Sequence, residues 1–232
     1  MPIVAFLVVS FTGMVAVNWF FSPVEGDATA VAAATTQGLS APIFKVVPAK
    51  PVSQRLAQSP GPQRIGIIAG HYGFDSGAVC ADGLTEAKVN MSIANLVVAG
   101  LQAQGIRSDL LEEFDPRLEN YYATAVISIH ADSCDYINQL ATGFKLSGST
   151  LTDSSDLSIC MEQAYQETTQ LTYHANTVTA DMTNYHAFRE IAPGVPAVII
   201  EVGFLNLDRE LLANAETPAA GLVNGIRCYL DQ

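Results

Sequence analysis

Two histidines and two carboxylates in this 232-residue sequence stand where hydrolytic metal chemistry needs them. His71 follows the apolar run Arg64-Ile-Gly-Ile-Ile-Ala69 and Gly70, His130 ends Ala125-Val-Ile-Ser-Ile-His130, and Glu201 ends Val198-Ile-Ile-Glu201. Reactive groups in open α/β sheets collect beyond the carboxyl ends of the strands, so three unrelated stretches bring ionisable side chains to one rim. Glu86 opens the helix that leaves the first of these loops. Two imidazoles and a carboxylate are the protein ligands of a catalytic Zn²⁺ that keeps a fourth position for water. The other carboxylate then stands beside that water and can take its proton during attack on a carbonyl. The expected chemistry is metal-assisted hydrolysis.

Taken singly, each residue has a plainer role. A lone histidine at a strand end is more often a hydrogen-bonded surface group, and a glutamate at a helix start favours the helix dipole. Glu201 resists that reading, because a carboxylate continuing the apolar run Ala197–Ile200 is costly unless paired, protonated or near a metal. Cys80 and Cys134 lie close to His71 and His130 in sequence and are further candidate ligands, a disulfide or free thiols being the preferred reading.

The elements that must position these groups alternate. The β-branched runs at 64–69, 106–111, 125–130 and 198–201, with a shorter one at 143–146, read as strands. Leu84–Gln104 carries Val89, Ile93, Leu96, Val97 and Leu101 at helical spacing before Gly105, and further helices are expected at 156–173 and 219–230. The pattern predicts one α/β domain with a mostly parallel sheet flanked by helices.

Outside that domain the composition changes. Ile3–Phe21 is a 19-residue run without an ionisable side chain, expected to be a membrane anchor or a signal segment. Residues 22–62, rich in Ala, Thr, Val and Pro, read as a linker, which leaves 63–232 as the folded domain. The whole chain has formal net charge −12, and residues 63–232 alone carry −13, the wrong sign for a phosphate backbone. Nucleic acid is excluded as a partner on that ground. Four cysteines without a C-x-x-C pair exclude a zinc ribbon or a thioredoxin-type site.

Four short motifs in order make residues 64–232 similar to the zinc-dependent N-acetylmuramoyl-L-alanine amidases that cleave bacterial peptidoglycan. They are Gly70-His71-Tyr72-Gly73 with Gly77-Ala78, Glu86 at a helix start, Ser128-Ile129-His130-Ala131, and Pro196-Ala197 followed by Glu201-Val202-Gly203-Phe204-Leu205. The resemblance implies a zinc-carboxypeptidase-like, phosphorylase/hydrolase-like α/β fold. It makes His71, Glu86 and His130 the zinc ligands and Glu201 the catalytic carboxylate. The chain departs from the family pattern at Ala69, where an Asp is usual, at Asp132, where an Asn is usual, and in the shorter segment 111–122, which lacks a Thr-Arg pair.

Peptidoglycan is then the expected partner and the cell envelope the expected location, with residues 1–21 delivering the domain across or to the membrane. In that oxidising setting the cysteines are expected to pair as Cys80–Cys134 and Cys160–Cys228. Three other functions compete. A zinc carboxypeptidase normally has its first His and Glu three positions apart, whereas His71 and Glu86 are 15 apart. A wall-binding module without catalysis, or an activator of another amidase, would have no need of Glu201.

Overall fold

The computed structural model of the protein describes residues 63–232; the apolar run 3–21 and the linker 22–62 lie outside the described residues. The elements are β1 (Arg64–Ala69), α1 (Glu86–Gln102), β2 (Arg107–Glu112), β3 (Ala125–Asp132), β4 (Lys145–Gly148), α2 (Ser155–Thr169), α3 (Ala180–Thr183), α4 (Ala187–Glu190), β5 (Ala197–Phe204), α5 (Arg209–Ala213) and α6 (Glu216–Leu230). The strands form one sheet in the order β2-β1-β3-β5-β4, parallel except for β4, which runs antiparallel to β5.

Strand periodicity divides the sheet into two buried faces. Ile65, Ile67, Ile127, Ile129, Val198 and Ile200 pack against Val89, Ile93, Val97 and Leu101 of α1 and the apolar sides of α2 and α6. Ile68, Leu111, Val126 and Ile199 point the other way, onto Leu118, Tyr121, Met182, Tyr185 and Phe188. Burial on both faces explains why these strands read as continuous apolar runs rather than as alternating ones.

Several boundaries differ from the sequence expectation, each for a local reason. The first helix starts at Glu86 because Thr85 caps it, its hydroxyl accepting from the Lys88 N–H. The second stops at Thr169, whose Oγ1 donates back to the Tyr165 carbonyl, and Gln170 turns left-handed at φ 60°. Leu96 and Ile159, which share the helical spacing, are exposed. Glu201 and His130 do not end their strands. Buried Val202 and Phe204 carry β5 onward, and β3 runs through a register shift to Asp132.

Both expected disulfides are present, Cys80–Cys134 and Cys160–Cys228, with Cα separations of 5.2 and 5.5 Å. Cys80 and Cys134 are therefore not metal ligands. Instead they tie the loop after β1 to the loop after β3, the two that carry the histidines.

Candidate active site

Strand β1 delivers His71 through a tight turn in which its own carbonyl accepts from the N–H groups of Phe74 and Asp75. His71 adopts φ 64°, a left-handed conformation unusual for a residue with a Cβ and of the kind that clusters at functional sites. Its N–H donates to Glu113 Oε2 at 2.8 Å, which fixes that turn. Asp75 Oδ1 lies 2.6 Å from His71 Nδ1 and so leaves Nε2 to face the site. Gly70 is required here, because a Cβ would come within 2.4 Å of the His130 ring.

Glu86 enters from the first turn of α1, almost fully buried. Its Oε1 is 3.3 Å from His71 Nε2 and 3.3 Å from His130 Nδ1, and it accepts from Ala131 N–H at 3.1 Å and Asn90 Nδ2 at 3.3 Å. Burial alone would raise the Glu86 pKa, but the hydrogen bonds from His130 and His71 outweigh it and hold the carboxyl well below the usual range. The hydrogen bond to Glu86 is the main reason His71 is raised to about 9, against the lowering effect of burial.

These three side chains fit a divalent metal. One ligand atom from each lies within 4.8 Å of the others. Two ligands each about 2.1 Å from a tetrahedral zinc are about 3.4 Å apart, close to the two 3.3 Å separations here. Imidazole and carboxylate are donors that zinc accepts, and His71 carries an outer partner, Asp75 on Nδ1; His130 Nε2 lies 3.5 Å from Glu113 Oε2 without a hydrogen bond among the described residues.

Glu201 stands apart from this cluster and beside it. In the sheet it pairs with His130 of β3 on one side and Lys145 of β4 on the other. Its Oε2 is buried with no hydrogen-bond partner among the described residues. Burial is the main cause that raises its pKa to about 7; His130 and Lys145 oppose the rise, while Glu86 and Asp132 add to it. An unpartnered carboxylate near neutral pKa is suited to proton transfer. Asp132 itself is ion-paired with the buried Lys145.

The structure thus brings all four expected residues to one end of the sheet, and it adds Glu113, Tyr185 and His186. Glu113 Oε1 accepts from Tyr185 Oη at 3.1 Å and sits 3.0 Å from His186 Nε2, and Tyr185 receives the Ser128 hydroxyl at 2.9 Å. A signal for Glu113 existed: Glu112 and Glu113 follow Leu110-Leu111 at the carboxyl end of a strand, where the strand-end rule applies as it did to His71.

Residues 65–227 match the sequence model of the family N-acetylmuramoyl-L-alanine amidase, which spans most of the chain. The chain belongs to that family. No curated protein sequence matches it significantly. Among solved structures, it resembles the catalytic domain of the amidase CwlV from Bacillus (Paenibacillus) polymyxa var. colistinus at 27% identity and TM-score 0.57, covering 73% of this chain and 98% of that one. It resembles the amidase AmiC2 of Nostoc punctiforme at 25% identity and TM-score 0.57, covering 74% and 99%. The amidase from Clostridium difficile 630, at 21% identity and TM-score 0.61 over 75% and 99%, shares the fold. The expected fold class and family are both borne out, and this amidase is a hydrolase of peptidoglycan.

Proposed function

We propose that the amidase is zinc-dependent, with His71 Nε2, Glu86 and His130 Nδ1 as ligands and Glu201 as the general base, and that it cleaves the bond between N-acetylmuramic acid and L-alanine. The observation that carries this reading is the convergence of both imidazoles on one Glu86 oxygen beside a carboxylate that has been left unpaired. Zinc held there supplies polarisation of the scissile carbonyl and acidification of a water. Glu201 takes the proton of the attacking water and returns it to the alanine nitrogen as the C–N bond breaks. The products are a muramoyl carboxylate and a stem peptide with a free amino terminus. Asp75 keeps the His71 imidazole aimed, Glu113 holds the His71 backbone turn, and Asn90 and the Ala131 N–H hold the Glu86 carboxylate in place.

Incubating the full chain with zinc and purified peptidoglycan and identifying the new ends tests this. New alanine amino termini that vanish on chelation are expected; new reducing sugar ends, or cleavage within the stem peptide, would contradict it.

The role of Glu201 sets the acidic limb of the pH profile. A base works ionised, so the rate falls as the pH drops through its pKa. Burial holds that pKa at about 7 against an ordinary 4.5, and a nearby dication favours the ionised form. The kcat/KM limb is therefore expected between those two values. A profile flat down to pH 4 would argue against a titrating carboxylate.

Delivery of residues 63–232 to the outer side of the membrane is assigned to Ile3–Phe21, as anchor or signal, with 22–62 as tether. The two disulfides suit that oxidising setting, since such bonds rarely persist in the cytosol. Alkylation of denatured protein taken directly from cells is expected to label no cysteine before reduction and all four after it. Labelling before reduction would place the domain in a reducing compartment.

A further inference from the structure

Between β1 and α1 the chain folds back on itself as a hairpin. Val79 bridges Thr85, the Cys80 N–H donates to the Leu84 carbonyl at 2.8 Å, and the Gly83 N–H donates to the Cys80 carbonyl at 2.9 Å. The backbone leading into this hairpin lies directly against two of the metal-binding side chains. A Cβ at Gly77 would come within 2.6 Å of Glu86 Oε2 and 2.8 Å of the His71 ring. The Gly77 N–H donates to Asp75 Oδ1 at 2.9 Å, the same oxygen that contacts His71 Nδ1, and the Ala78 N–H donates to Glu86 Oε2 at 3.1 Å.

The Glu86 carboxylate is thus held between two segments, Ala78 of the hairpin on Oε2 and Ala131 of β3 on Oε1. The Cys80–Cys134 bond joins those same two segments. Its two ends are anchored differently. The Cys134 carbonyl accepts from Asn206 Nδ2 at 2.7 Å, which ties it to the turn after β5. On the hairpin side, Ala78 and Leu84 are only partly buried, and the tip is held by an ion pair of Asp82 with Arg209 whose side chains are 60% and 39% exposed. Ion pairs that open to water hold little. The covalent bond is the strong tie that keeps the hairpin against β3.

The other disulfide separates this local effect from general stabilisation. Sequence separations of 54 and 68 residues close loops of similar length, so both bonds constrain the unfolded chain to a similar extent. They differ in what they hold once folded. Cys160–Cys228 joins α2 to α6, helices that carry none of the four site residues and already pack closely, Gly221 against Tyr165 and Gly225 against Met161.

We propose that Cys80–Cys134 is a thiol-exchange site that switches the metal site: closed, the chain retains zinc; opened by a dithiol, it stays folded and releases zinc. Opening is a two-electron reduction. A thiolate of the dithiol attacks the Sγ of Cys134, the more exposed of the pair, and Cys80 leaves as a thiolate that takes up a proton. The second thiol of the reductant attacks the mixed disulfide, Cys134 leaves as its thiolate and is protonated, and the dithiol ends as a cyclic disulfide. The reverse reaction needs a disulfide oxidant, so a chain made in a reducing compartment completes its metal site only after it reaches an oxidising one.

The test measures zinc binding by the full chain in detergent, by competition with a chromophoric chelator and without substrate. The double variant Cys80→Ala, Cys134→Ala is expected to bind zinc at least ~10-fold more weakly than the unaltered chain, the smaller end of what loss of an outer support of a metal ligand costs. Cys160→Ala, Cys228→Ala is expected to bind as the unaltered chain does. That second variant holds only the Cys80–Cys134 bond, so dithiothreitol, then removed by anaerobic gel filtration, is expected to weaken its zinc binding to the same extent, and oxidised glutathione to restore it. Circular dichroism and thermal melts in chelator check folding in every arm. Equal affinity in the open and closed forms would overturn the switch, as would tighter binding by the freed thiols or an equal loss in Cys160→Ala, Cys228→Ala. A chain that unfolds when the bond opens would also overturn it, because the switch requires a folded open state. The proposal rests on the metal ligands assigned above: a closed chain that binds no zinc would overturn both readings, whereas zinc bound equally well in both forms contradicts the switch alone.

Discussion

Glu201→Gln is expected to lower turnover on muropeptides by at least ~10²-fold, the size of a lost proton-transfer catalyst, with the zinc content unchanged. The substitution keeps the shape of the side chain and removes only its capacity to take a proton. Glu201 lies outside the convergent ligand group, so its loss leaves the three ligand atoms in place. Unfolding does not account for the loss either. The folded pKa of about 7 lies above the ordinary 4.5, so the ionised carboxylate costs stability increasingly as the pH rises from 4.5 to about 7. A neutral amide removes that cost, and the variant measured at pH 8 in chelator is expected to melt no lower than the unaltered chain. Wild-type release of stem peptides by Glu201→Gln would remove Glu201 from the mechanism.

The double variant His71→Ala, His130→Ala is expected to lose both zinc and activity, with bound metal after dialysis falling from one ion per chain to below about a tenth. Each imidazole supplies one of only three ligand atoms, and Glu86 alone would hold a metal no better than any surface carboxylate. Elemental analysis and circular dichroism on the same samples separate loss of metal from loss of fold. A folded double variant with full zinc stoichiometry would move the site elsewhere.

The four residues at the centre of this account were legible in the sequence because burial and chemistry conflict there. Glu201 interrupts an apolar strand, His71 follows a second and His130 closes the apolar run of a third two residues before that strand ends, so a rule about strand ends was enough to bring them together. The strands of the sheet were equally legible, since burial on both faces leaves an unbroken apolar run. What was not legible depends on contacts between segments distant in sequence. The strand-end rule reaches Glu113 as it does His71, but its role shows only when His71, Tyr185 and His186 are seen to surround it. The four-residue helices α3 and α4 are too short to show a period. The departure at Asp132 made sense only once Lys145 was found across the sheet, paired with it.

The most direct measurement is an anomalous-difference map at the zinc absorption edge from crystals of the zinc-loaded protein. The account predicts one strong peak within ~2.2 Å of His71 Nε2, a Glu86 carboxylate oxygen and His130 Nδ1, with Glu201 outside ligand distance. A peak on other residues, or one with Glu201 as a fourth protein ligand and no open position, would contradict it.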